Sequence, residues 1–184
     1  MGVKVLKGDE FVTDGVSIIN TDHAAIHKGY GALVDDYITL TSGATKSYCI
    51  TCPADLYIHF KNIMAQSLAG SCKFEILEGA TVTANDGTAL DVTQPNDNFD
   101  TTPSGTVIAD PTYTGGTKIQ GFHILADATN QTIGNGKLAL SENQELVFKN
   151  AGEQYILKIT NLEASEIKVA WNAFWYEEPK GKSD

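Results

Sequence analysis

The stretch IKVAWNAFWY at residues 167–176 carries the strongest structural signal in the sequence. Its odd-numbered positions are all apolar and hold Ile167, Val169, Trp171, Ala173 and Trp175. Apolar residues at every second position are typical of a β-strand with one face against a core. The even-numbered positions hold Lys168, Ala170, Asn172, Phe174 and Tyr176. Because this second face is also rich in apolar groups, we expect a strand that either is central, with both faces covered, or meets a partner.

The same period of two recurs in shorter runs along the chain. Tyr155, Leu157 and Ile159 share one predicted face, and Leu56, Ile58 and Phe60 share another. Turn residues such as glycine, asparagine and proline separate these runs. The pattern predicts about eight to ten strands and an all-β fold class. We expect an antiparallel β-sandwich, jelly-roll-like, with an extended N-terminal arm.

Two local patterns lead to more specific predictions. Asp86-Gly87 lies between residues 81–84 and 88–93, which predicts a β-hairpin at that point. Residues 60–68 break the alternation, since Phe60, Ile63, Met64 and Leu68 have helical spacing. For this segment we expect a short helix or a folded loop.

The domain organisation predicted from the sequence is simple. Residues 1–15 form an N-terminal arm, residues 16–177 the β-sandwich domain, and residues 178–184 a charged C-terminal tail. Two polar stretches, 94–106 and 127–137, are expected to be long loops. Loops of this length in a compact domain are often contact surfaces.

The charge balance excludes several classes of partner. The formal net charge is −10, and no run of lysine and arginine stands out, so we expect no nucleic-acid partner. No window approaches the roughly 18 apolar residues of a membrane span, so we expect no membrane partner. The start of the sequence lacks the apolar core of a secretion signal, which favours synthesis in a cytoplasm.

A survey of reactive residues finds no catalytic pattern. Cys49 and Cys52 form a C-x-x-C, but in a strand their odd separation sends them to opposite faces, so buried free thiols are expected. His23 and His27 lack the glutamate of a metalloprotease motif. The acidic stretch at 96–100 fits no calcium loop. We therefore predict no enzyme activity, no cofactor and no metal site.

Several short stretches resemble a family of small tailed-bacteriophage virion proteins. They are TDH at 21–23, IHKG at 26–29, DLYIHF at 55–60, FEILEGATVT at 74–83, GT at 87–88, PN at 95–96, YILKITN at 155–161 and WYE at 175–177. The sequence departs from the family pattern after Pro95, where Asp97 and Asn98 replace the usual arginines. That departure puts in doubt any contact that those arginines make in relatives.

The resemblance implies a structural role in a virion. It implies a capsid decoration, or cement, protein that is synthesised in the host cytoplasm, binds the outside of the assembled head and stabilises it. Its partner would be the major capsid protein, and a homo-oligomer such as a trimer is expected because local symmetry axes favour symmetric clusters. The alternative is a tail or head-fibre module that binds a host-surface glycan or receptor.

Candidate contact residues follow from this role as a hypothesis. Contact would use the N-terminal arm, the loop at 94–106 and the aromatic final strand. The residues assigned to the protein interface are Val3, Val5, Phe11, Phe99, Trp171, Trp175 and Tyr176. For the glycan alternative, Tyr57, Trp171, Trp175 and Tyr176 would form a platform on which sugar rings stack.

Overall fold

The computed structural model describes residues 26, 28–68, 70–83, 86–96, 98, 100–125, 134–139, 146–148 and 152–179, with backbone alone at 134–139 and 146–148. The strands of this part are β1 (Gly31–Leu40), β2 (Thr45–Thr51), β3 (Leu56–Leu68), β4 (Cys72–Val82), β5 (Thr88–Leu90), β6 (Thr106–Ala109), β7 (Tyr113–Ile124), β8 (Gly134–Ala139), β9 (Leu146–Phe148), β10 (Gln154–Asn161) and β11 (Ile167–Pro179). The all-β prediction is confirmed.

The strands form two antiparallel sheets. The five-stranded sheet has the order β1-β11-β3-β8, and β9 also pairs with β3. The six-stranded sheet has the order β5-β6-β2-β10-β4-β7. Strand β11 lies between β1 and β3, so the final strand is central in its sheet. The predicted covering of both its faces is not found among the described residues, because Lys168 and Ala170 on the outer face are exposed.

The main core lies between the two sheets. It combines inward-facing side chains of both, including Trp175 from β11, Phe60 from β3, Tyr48 from β2 and Tyr155 from β10. The alternation predicted for β10 and β11 is confirmed, because Tyr155, Leu157 and Ile159 and all the odd-numbered residues from Ile167 to Trp175 belong to this core. Burial of this apolar surface is the main favourable term in folding.

A second, smaller cluster lies on the outer face of the six-stranded sheet. Cys49 of β2 and Ile156 of β10 are covered by Leu77, with Ala80, Val82, Ile108 and Tyr113 packed around them. The end of the β4–β7 pair that holds Val82 and Tyr113 therefore packs against the outer face of β2 and β10. Cys49 belongs to this cluster and Cys52 to the main core, as their odd separation predicted, and both are buried free thiols.

The helix or loop predicted at residues 60–68 is wrong, because these residues continue strand β3. A β-bulge at Lys61 causes the unusual spacing, since Phe60 pairs with Trp175 and Asn62 pairs with Phe174. The extra residue lets Phe60 and Ile63, three positions apart, both face the core. A bulge therefore produced a pattern that resembles a helix.

The hairpin predicted at Asp86-Gly87 is also wrong. Strand β5 pairs with β6, whereas β4 pairs with β10 and β7, so the chain crosses to the far edge of the sheet at this point. Gly87 has a φ of 120° and lies against the backbone of Ala109. The glycine permits this close approach of two backbones, which is a different use of its freedom from a two-residue turn.

The predicted domain limits need small changes. Strand β11 continues to Pro179, beyond the predicted limit at residue 177. Part of the loop predicted at 127–137 is strand β8, which begins at Gly134. The predicted arm at 1–15 and residues 180–184 of the tail lie outside the described residues. Within the described part, no helix is long and apolar enough to cross a membrane.

Candidate interaction surface

The two tryptophans predicted to make contacts lie in the core. Trp171 is 2% exposed and Trp175 is fully buried. The reason is the position of β11, whose inward face packs against the six-stranded sheet, with the Trp171 ring 4.6 Å from the Tyr48 ring. Neither indole is available on the surface of the single chain, so the prediction that they contact a partner directly is wrong for this fold.

Tyr176 points to the opposite, outer face of β11 but is also buried, with 5% exposure. Its ring stacks on the His59 imidazole, with 4.4 Å between the ring centres, and Lys61 Nζ lies 5.2 Å from the ring centre. His59 Nε2 in turn lies 2.8 Å from Glu178 Oε2. Three of the four rings proposed as a sugar-stacking platform are therefore buried, and Tyr57 alone is partly exposed.

The other predicted contact residues, Val3, Val5, Phe11 and Phe99, lie outside the described residues. The chain just before β1 is described, however, and the loop at 94–106 holds it. Asn96 Nδ2 donates to the Ile26 carbonyl at 3.0 Å, and Thr101 Oγ1 donates to the Gly29 carbonyl at 3.3 Å. The loop and the segment that leads into the sheet therefore lie side by side.

Glu177 ties the end of β11 to the same place. Its carboxylate accepts hydrogen bonds from Gly105 N at 2.6 Å and Ser104 N at 2.8 Å, and from Trp175 Nε1 at 3.3 Å. Its own N–H donates to the Tyr30 carbonyl at 2.9 Å. We call the group formed by Tyr30, residues 94–96, residues 101–105 and Glu177 the Glu177 corner.

Two of the three predicted contact segments, the loop at 94–106 and the end of β11, come together at the Glu177 corner. Residues 26–30, which lead into β1, meet them there, whereas the predicted arm at 1–15 lies outside the described residues. Glu177 is buried, and a Cβ on Gly105 would lie 2.9 Å from its Oε1, so a side chain at that position would displace the carboxylate. Sequence reasoning missed Glu177 as an organising residue, although the quoted WYE stretch contains it.

Asn161 organises the opposite end in a similar way. Its Nδ2 donates to the carbonyls of Leu40, Thr41 and Ser165, at 3.1, 2.8 and 2.8 Å. Its Oδ1 accepts the N–H of Glu163 at 2.8 Å. The buried amide therefore joins the turn after β1 to the turn before β11. It closes the quoted YILKITN stretch, so this residue too has a structural role.

Burial raises the pKa of cysteine and tyrosine side chains among the described residues. Burial raises the pKa of the Cys72 thiol to about 11, and burial also raises the pKa of Cys49. A thiol with a raised pKa is a poor nucleophile at neutral pH. Burial likewise raises the pKa of Tyr48, whose hydroxyl donates to Asp36 Oδ2 at 2.8 Å. Within these same residues, no three histidine, cysteine or acidic side chains cluster as a metal site would require.

Among the described side chains of the five-stranded sheet, the most exposed large apolar ones lie on its outer face. Tyr37 is 62% exposed, Leu68 43% and Met64 42%. In the strand register Ala170 lies between Tyr37 and Gln66, and Met64 lies two residues from Gln66 along β3. The alternation of Tyr37 with buried Ile38 made its exposure predictable, but sequence reasoning did not select it as a contact residue. Exposed apolar side chains of this kind can bind another protein, and such binding needs no catalytic group.

Comparison with known proteins adds no relative. No protein-family model matches the sequence. No curated protein matches it either. A function for this protein is therefore inferred from its residues, its fold and the short stretches that resemble phage virion proteins.

Proposed function

We propose that this protein is a structural component of a bacteriophage virion, a capsid decoration protein that binds the outside of the assembled head. Its partner would be the major capsid protein, its location the capsid surface, and its action binding without catalysis. The stretches that resemble phage virion proteins support the proposal, and two of them lie on strands that pair with each other. FEILEGATVT lies in β4 and its end, and β4 pairs with β10, which holds YILKITN.

A jelly-roll β-sandwich is the proposed finer description of the fold. Without the short strands β5, β6 and β9, the strand orders are β1-β11-β3-β8 and β2-β10-β4-β7. These orders place the first strand beside the last, the second beside the second-to-last, and so on inward. That is the pattern of a long antiparallel hairpin rolled into two sheets, and such jelly rolls are frequent in viral capsid and lectin domains.

The observation that carries the proposed role is the Glu177 corner. It gathers two of the three segments predicted to reach neighbouring subunits, the loop at 94–106 and the end of β11, next to residues 26–30 at one end of the five-stranded sheet. Hydrogen bonds to the Glu177 carboxylate and from the Asn96 amide hold these described segments in place before any partner binds. A preformed surface loses less conformational entropy on binding than a flexible one.

The proposed mechanism is thermodynamic linkage between binding of this protein and assembly of the capsid. A protein that binds only the assembled lattice lowers the free energy of the assembled state, so it shifts the equilibrium away from disassembly. The surface charge suits an outer position, because a net charge of −10 would repel a packaged genome. Contacts made by the Glu177 corner would set the affinity for the capsid, and no catalytic group would be needed.

Co-sedimentation of the purified full chain with heads stripped of it tests the role. We expect saturable binding, with a copy number that matches a repeating symmetry axis of the shell. A variant without residues 1–15 should bind much more weakly and keep its melting temperature. Absence of binding, or a handful of copies per particle, would contradict the decoration role and favour the tail or fibre alternative.

The alternative function, a glycan- or receptor-binding module, stays a prediction. The two tryptophans first named for it are buried, so a glycan would need other aromatic residues. Tyr37, the most exposed ring of the five-stranded sheet, is the natural substitute to test on a glycan array.

A further inference from the structure

Strand β1 is an edge strand whose outer side is largely unpaired. It pairs with β11 on one side along its whole length, from Gly31 to Leu40. On the other side, in the part of the chain that the structure describes, it forms a single bridge, in which Leu33 exchanges both backbone hydrogen bonds with Thr93. Backbone groups alternate sides along a strand, so those of Asp35, Tyr37 and Thr39 point to the same side as those of Leu33.

This edge lacks some of the features that normally prevent strand addition. Its sequence, GALVDDYITL, has no lysine or proline, and its register against β11 is continuous, without a bulge. Its protective features are the charged residues Asp35 and Asp36, of which Asp36 points inward to Tyr48, and the contact in which Asp36 Oδ1 accepts the N–H of Tyr37 at 2.8 Å. The side chains of Asp35, Tyr37 and Thr39 are exposed. Within the described part of the chain, the backbone groups of Asp35 and Thr39 on this side pair with no strand.

The two edges of the six-stranded sheet are less regular. Strand β5 is only three residues long. Strand β7 is longer but has a register shift against β4, and Gly115 and Gly116 have positive φ values of 72° and 99°. A flat strand from another chain fits best against an edge without such distortions. The β1 edge is therefore the best site for strand addition among these three edges.

We propose that a second copy of this chain pairs with this edge, so that two β1 strands run antiparallel about a two-fold axis at Tyr37. This inference goes beyond the proposed function and does not depend on it. In that register Asp35 of each copy lies opposite Thr39 of the other, so the aspartates do not face each other. The two Asp35–Thr39 pairs would form about four backbone hydrogen bonds. The two Tyr37 rings meet across the axis on the outer face, where aromatic pairs stabilise adjacent strands.

The sequence of this edge explains why a second copy is the preferred occupant. Two-fold pairing requires a surface that complements itself. With the axis at Tyr37, Asp35 of one copy faces Thr39 of the other, and tyrosine faces tyrosine. The result would be one continuous sheet across the dimer. A trimer, which the sequence analysis named as an example, cannot form through this contact because an isologous edge accepts one partner.

Sedimentation velocity of the full chain at rising concentration tests the pairing, with two opposite charge variants. Thr39→Lys places a cation opposite Asp35 of the other copy; because this lysine gains an opposite charge directly across the strands, unlike the unpaired lysines that protect natural edges, it should tighten the dimer. Thr39→Glu places two carboxylates opposite each other and should weaken it. Because symmetry doubles the contact, each dissociation constant should change by roughly two- to thirty-fold.

A matched control and a crosslink complete the test. Met64→Ser removes an exposed apolar group from the same face but away from the edge, and it should leave the dimer unchanged. Tyr37→Cys should give a disulfide-linked dimer under mild oxidation, whereas Met64→Cys should not, because Met64 lies on β3, away from the proposed axis. The native thiols are buried and should not form this crosslink. A chain that stays monomeric, forms trimers, or responds to Met64→Ser and not to the Thr39 variants overturns the proposal.

Discussion

Replacing Glu177 by glutamine keeps the shape of the side chain and removes its charge. In the native chain the carboxylate accepts two short backbone hydrogen bonds, at 2.6 Å from Gly105 N and 2.8 Å from Ser104 N. Glutamine has one acceptor oxygen, so its amide group would face one of these N–H donors. One donor would then lose its partner at a buried site, and the remaining bond would lose its charge.

The expected size of the effect follows from these two losses. A buried donor without a partner costs about 1–3 kcal/mol, and a hydrogen bond to a neutral acceptor contributes about 1 kcal/mol less than one to a charged acceptor. Glu177→Gln should therefore lower the free energy of unfolding by about 2–4 kcal/mol. If the loop detaches locally instead, amide exchange at Ser104 and Gly105 should accelerate by roughly 30- to 700-fold.

Urea denaturation and amide hydrogen exchange together measure this prediction. The matched control is Glu178→Gln, because Glu178 is the next residue but is half-exposed and pairs with His59. Such a surface pair contributes about 0–1 kcal/mol, so the control should change stability little. If Glu177→Gln changes neither unfolding nor exchange more than the control does, the Glu177 corner is not held by this carboxylate.

Three further predictions follow from the described residues. Gly87→Ala should lower the free energy of unfolding by about 2–4 kcal/mol, because a Cβ would lie 2.2 Å from the Ala109 carbonyl oxygen. Gly43→Ala is the control, since nothing lies within 4 Å of a Cβ at that position, and it should cost about 1 kcal/mol. Urea titrations measure both. The hydrogen bond from Ser71 N lowers the pKa of Glu163 below its ordinary value of 4.5. The ionised carboxylate therefore stabilises the fold fully above pH 4.5, and this stabilisation is lost as the pH falls through the lower pKa of the folded state. In acid titrations of stability, Glu163→Gln should show a smaller loss than the native chain. The three buried thiols should react with a thiol reagent only at the rate of unfolding, and fast labelling of the native chain would contradict their burial.

The sequence predicted the fold class well because alternation reports burial directly. In β10 and β11, every residue assigned to the core by its period of two lies there. The same reasoning failed at Lys61, because one bulged residue shifts the period and imitates helical spacing. It failed again at Gly87, where a local turn signal cannot reveal which distant strand the chain pairs with next.

The candidate contact residues were harder to predict than the fold. Alternation places Trp171 and Trp175 on one face of a strand but cannot say which face meets the second sheet and which meets a partner. Glu177 and Asn161 were not identified because a buried polar side chain has the same sequence signature as an exposed one. Their roles depend on backbone groups far away in the chain, which only the folded structure brings close.

The pairing of Gly31 with Tyr176 has a mechanical consequence. Strand β1 begins where β11 ends, so tension applied through the residues that flank these two strands pulls them apart sideways. The hydrogen bonds between them would then open one after another, which resists force less than sliding the strands lengthwise. The bonds of Glu177 to Tyr30 and Gly105 lie where this peeling would start. They would act as a mechanical clamp that must break before the sheet begins to unzip.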